Sequence, residues 1–209
     1  KKGPPHFLNA ESLHGKEGSQ MSRLEPLDEA LLTSDQKSLR DSVVGSRKGL
    51  GPDVWKSGPF GVWQHAPDLG MKALELGAQV RFATELDPQM REVAICCVGV
   101  HFKSKFEFEA HAAIAISEGI DSSYLDVLAE GGQPSWEREL MITQKFTEEL
   151  LQSTRVSDST YGMMLNVVGS KGLVELVSTI GYYCLVSLTL NAFQVDLADS
   201  MIDRWPEET

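Results

Sequence analysis

Glu92, Glu107 and His111 are the residues whose types and spacing could do proton chemistry in this chain of 209 residues. Glu107 precedes His111 by one helical turn, so a helix through both sets carboxylate and imidazole on one face. Glu92 stands in the apolar run before them, where a buried carboxylate demands a partner or a raised pKa. Converging between helices, the three would form a proton-transfer site, with His111 as general acid or base. Glu92 would orient the imidazole or relay its proton, and Glu107 would be a second acid/base. Each also has a plainer use. Ser104-x-x-Glu107 spells a helix capping box. Glu92 could pair with Arg91 at the surface, and His111 could be a hydrogen-bonded core histidine. A metal is not expected, because such sites need three or more ligands and no second ligand-rich motif is present.

Two consecutive helices must carry these residues. Asp87-Pro88 reads as a helix start, with Asp capping free backbone N–H groups and Pro pre-set for the first turn. Met90, Val93, Ala94, Cys97, Val98 and Val100 then hold a helical apolar spacing. The second helix begins near Ser104, carries Phe106, Phe108, Ala112, Ile114, Ala115 and Ile116, and closes at Gly119.

Around this hairpin the chain reads as helical throughout. Residues 24–44 hold short helical pieces anchored by Leu27, Leu31 and Leu32. Residues 46–61 form a loop rich in Gly and Pro that bears Trp55 and Phe60, with Trp63 just beyond. Aromatic loops often line pockets, so these three, with His65 and Ser104, are the candidate substrate-binding residues. Pro67 opens a helix whose buried side is expected at Leu69, Ala73, Leu76, Val80 and Phe82. Later helices start at Asp121, Ser135 and Ser157, the last of these stopping at Gly169. A final apolar helix spans 173–195 and is long enough for a bilayer. Its Glu175, Ser178, Thr179, Ser187, Thr189, Asn191 and Gln194 favour burial in a bundle or subunit interface, so no membrane partner is expected. No segment favours strands, and no glycine loop for phosphates is present.

A net charge of −11 disfavours nucleic acid, which needs clustered cations, while leaving room for a small anion held by a local arginine. Apolar residues at 42% and charged residues at 23% suit one soluble domain. Cys96, Cys97 and Cys184 do not form a disulfide framework and read as small core hydrophobes. With no signal-like apolar stretch near the start, a cytoplasmic location is expected. The expected organisation is an N-terminal arm over 1–22, a helical domain over 23–195 and a tail over 196–209.

Arg91-Glu92-x-Ala94-Ile95, Phe106-Glu107-Phe108-x-x-His111 and Gly119-Ile120 together resemble the carboxymuconolactone decarboxylase family, whose relatives include the AhpD-type alkylhydroperoxidases. The resemblance extends to Gly58-Pro59-Phe60, His65-x-Pro67, Arg155-Val156-Ser157-Asp158, Val174-Glu175-Leu176-Val177, Gly181-Tyr182-Tyr183 and Leu190-Asn191-Ala192-Phe193. It implies an all-α, AhpD-like bundle with a central hairpin, assembled as a homo-oligomer, a trimer or hexamer. It also implies a small carboxylated or carbonyl substrate, lactone-like in the family's named reaction, turned over without an organic cofactor. In the peroxidase branch a Cys-x-x-Cys pair stands where this chain has Ser104 and Glu107. Peroxide reduction is therefore disfavoured, while Glu92 and His111 match that branch's proton relay. A non-catalytic oligomer of the same fold is the other alternative.

Overall fold

Among the residues described by a computed structural model, 23–47, 49–198 and 201–205, all regular structure is helical. The expected N-terminal arm, residues 1–22, lies outside them. The helices are α1 (Ser34–Ser46), α2 (Gly58–Trp63), α3 (Pro67–Phe82), α4 (Pro88–Phe102), α5 (Lys105–Ser117), α6 (Ser122–Ala129), α7 (Arg138–Ser153) and α8 (Asp158–Ala192).

The centre is α4. Asp87 caps it by accepting from the Gln89 and Met90 N–H groups, and every residue from Val93 to Gly99 is buried. A helix buried all round must be wrapped, and α5, α6, α7 and α8 do so. The turn into α5 is tight. Lys103 takes a left-handed conformation, and Gly99 lets α5 approach so closely that a Cβ there would sit 3.0 Å from that of Phe108.

Several expected details differ. Leu31 is exposed and only Leu32 is buried at the start of the domain. Residues 46–61, expected as loop, contain a 3-10 turn at Val54–Lys56 and the start of α2. The buried face of α3 is Gly70, Ala73, Leu74, Gly77 and Val80, while Leu69, Leu76 and Phe82 face out. The helix expected from Ser135 starts later, with Glu137 as its cap. By contrast, Gly169, with a φ of 68° and a ψ of 178°, leaves the helical region and divides α8 by a kink into two helices, so the stop expected there stands.

By length and composition α8 could cross a bilayer, yet half of its most apolar window is buried against the rest of the protein. Residues 201–205, in the expected tail, lie across α5 and α6. Arg204 pairs with Glu109 and Asp126, and Trp205 donates its indole N–H to the Ala129 carbonyl at 3.1 Å.

Candidate active site

The hairpin brings its three polar residues together. Glu92 leaves α4 one turn after its start, and Glu107 and His111 leave α5 on one face. His111 Nδ1 lies 2.6 Å from Glu92 Oε2. Its Nε2 lies 3.1 Å from Glu107 Oε1, close enough for an ion pair but not aligned for a hydrogen bond. Arg91 Nε donates to the other Glu92 oxygen at 3.0 Å. All three site residues are buried, and Tyr183 of α8 closes the imidazole from one side, ring centres 4.8 Å apart.

This arrangement holds charge. Burial alone would raise the Glu92 pKa, but His111, then Arg91 and Arg81, outweigh it and hold the carboxyl below its ordinary 4.5. Burial alone would lower His111, but Glu92 and Glu107 outweigh it and hold the imidazole above 6.5. Both directions favour a charge-paired Glu92 and His111, with Glu107 beside the other ring nitrogen. Because the carboxylates address opposite ring nitrogens, the three side chains do not converge on one point.

The capping box does not form. Ser104 occupies the N-cap position of α5, but its side chain makes no capping bond. Glu107 turns to His111 instead, leaving Ser104 Oγ and Glu107 Oε1 buried without hydrogen-bond partners. Buried polar groups left without a partner cost free energy.

The expected substrate-binding residues separate into groups. Ser104 joins the triad's helix. Gly58 takes a φ of 55° and would carry a Cβ 2.9 Å from the Phe106 ring, so the α2 segment abuts α5 there. Phe60 and Trp63 pack edge to face at 6.1 Å, Trp63 buried and Phe60 beneath the Arg47 guanidinium. Trp55 and an exposed His65 instead line a separate cavity of about 70 Å³ that includes none of the three polar residues. Tyr182 and Tyr183 were not among the expected site residues, although Gly181-Tyr182-Tyr183 stands out in the sequence. Burial, with a further push from Glu107, raises the Tyr182 hydroxyl to about 12.

Among solved structures, the chain is similar to the alkylhydroperoxidase AhpD core, an uncharacterized peroxidase-related protein from Ralstonia eutropha JMP134. The TM-score is 0.72 at 15% identity, covering 90% of this chain and 100% of the other. The fold is AhpD-like. No family model matches the sequence, and no curated protein matches it. The AhpD-like fold explains the layout: a central hairpin delivers the polar residues from two adjoining helices and α8 covers them.

Proposed function

We propose that the protein is a carboxymuconolactone-decarboxylase-like enzyme that uses Glu92, His111 and Glu107 to move a proton on a small carboxylated or carbonyl compound. The observation that carries this is the buried imidazole held by a carboxylate at each ring nitrogen, 2.6 Å and 3.1 Å away. A core histidine needs one partner; carboxyl groups at both ring nitrogens offer a path for a proton. In the lactone-like case the bond to the carboxylate carbon breaks and CO₂ leaves. The electron pair passes into the conjugated carbonyl as an enolate, and a proton from His111, by way of Glu107, goes to carbon. Water restores the proton.

Peroxide reduction is the competing reading, since the similar solved structure is that of a peroxidase-related protein. Peroxide reduction by thiols needs an accessible thiolate. Here Ser104 and Glu107 occupy the dithiol positions, and burial pushes the Cys96 and Cys97 thiols far above their ordinary range. A Cys96→Ser/Cys97→Ser/Cys184→Ser variant should therefore release CO₂ from a conjugated lactone acid at the wild-type rate. A folded variant without turnover would transfer the chemistry to sulfur.

The enzyme acts as a homo-oligomer, a trimer or hexamer, in this reading. Val174, Val177, Leu185 and Leu188 leave an exposed apolar stripe along α8, and a second copy is the natural cover for a stripe that repeats at helical spacing. Light scattering should give a mass well above the 23.0 kDa of one chain; a monomer at micromolar concentration would refute it.

A further inference from the structure

Arg47 follows α1 and Arg81 stands at the end of α3, far apart in sequence, yet both reach the same aromatic side chain. Their guanidinium carbons lie 5.9 Å and 5.0 Å from the centre of the Phe82 ring, and Arg47 is also 5.2 Å from that of Phe60. Among the described residues, no carboxylate comes within 4.0 Å of either guanidinium. Three of the other arginines find acids: Arg40 pairs with Glu29 and Asp41, Arg91 with Glu92, Arg204 with Glu109 and Asp126. In a chain with 30 acidic and 19 basic side chains, Arg47 and Arg81 stand close enough to repel each other with no acid between them.

The pair is also connected to the proton relay. Tyr182 and Tyr183 stand between, their hydroxyls without a hydrogen-bond partner among the described residues, and Tyr183 lies on His111. Gly77 makes this possible: a Cβ there would collide with the Tyr182 hydroxyl. The Arg81 charge reaches Glu92, Tyr182 and Tyr183, and the Arg47 charge reaches Tyr182. Half-buried, Arg47 has its pKa lowered by burial and then by repulsion from Arg81. Two like charges held together at such a cost are relieved by an anion between them.

We propose that Arg47 and Arg81 are the anchor for the carboxylate of a conjugated organic acid, with Phe60 and Phe82 as walls for its flat body and Tyr182 facing its reacting end. The inference deepens the proton-transfer reading by naming the substrate class. A guanidinium fork matches the two oxygens of a carboxylate and also stacks on aromatic faces, which a lysine does not reproduce. Phosphate would satisfy the charge but has nothing for the rings to hold.

The test is binding, so it stands apart from turnover. Titration calorimetry would compare benzoate, benzamide and inorganic phosphate on wild type, Arg47→Met, Arg81→Met and the two Arg→Lys variants, each checked for helical content. Benzoate should bind wild type at millimolar concentration or better, and benzamide and phosphate at least about tenfold more weakly. Each Met variant should lose about tenfold or more for benzoate, the scale of one charge-assisted hydrogen bond, and each Lys variant should recover part of it. His111→Ala should keep benzoate affinity, because it leaves the anchor intact. The proposal is overturned if wild type ignores benzoate, or if benzamide or phosphate binds as well. It is equally overturned if folded Arg variants bind like wild type, or if His111→Ala alone abolishes binding. Undiminished turnover in a folded His111→Ala variant with benzoate binding intact would sink the proton relay and leave the anchor standing.

Discussion

His111→Ala should lower turnover of the true substrate by about 10²–10⁴-fold, the usual contribution of a positioned acid or base. The side chain is buried but lies at the hairpin's polar seam, so helical content should survive its truncation. Glu92→Gln keeps the shape of the carboxylate and removes its charge. Its effect should be smaller, because Glu92 touches Nδ1 and stands one step from the transferred proton. The substitution should leave a further signature. Glu92 raises the His111 pKa, so its neutralisation lowers that pKa. With His111 acting as the acid, the alkaline limb of the pH–rate profile should move to lower pH. Two folded variants with undiminished turnover would end the proton-relay reading; unfolding of His111→Ala would instead mark His111 as a core residue.

Phe108→Ala should cost roughly 3–5 kcal/mol of stability, the range for truncating a fully buried phenylalanine. Phe108 is wholly buried, lies against Gly99 across the hairpin, and meets the Trp205 ring edge to face at 5.3 Å. The Arg204 guanidinium covers its face at 5.4 Å. Removing the ring opens a cavity between α4, α5 and the segment above, and the close backbone contact at Gly99 prevents one side from collapsing inward. Small domains hold only about 5–15 kcal/mol in all, so this change takes a large share of the margin. Urea unfolding should show a lower midpoint with a similar slope. A loss below about 1 kcal/mol would mean that the hairpin seam is not closely packed.

The hairpin was legible because its signals agree. Asp87-Pro88, the apolar spacing, Ser104 and Gly119 all place the same two helices, and four-residue spacing places Glu107 beside His111. The face of α3 was not legible. Large apolar residues at Leu69, Leu76 and Phe82 suggested a buried stripe, whereas Gly70 and Gly77 make the true one. Leu39 and Trp63 press on Gly70, and Tyr182 presses on Gly77. A glycine contributes no apolar signal even where its smallness is what permits contact. The capping box failed for a related reason. Its local pattern was sound, but Glu107 had a charged partner one turn ahead, and the ion pair prevailed over the cap. The arginine pair had no signal at all, since Arg47 and Arg81 meet only through the packing of α1 and α3.

The strap over α5 and α6 has a consequence for how the chain is made. Arg204 meets Glu109 across 95 residues of sequence, and Lys105 meets Asp203 across 98. During synthesis, α5 therefore leaves the ribosome long before the residues that cover Phe108. At about 5–20 residues per second the delay is many seconds, far longer than helix formation. Over that interval Phe108 lacks its covering Trp205 ring and Glu109 lacks its guanidinium. The nascent hairpin is thus the period of greatest exposure to chaperones and to self-association, and substitutions at Arg204 or Trp205 should show first as lower yield in cells.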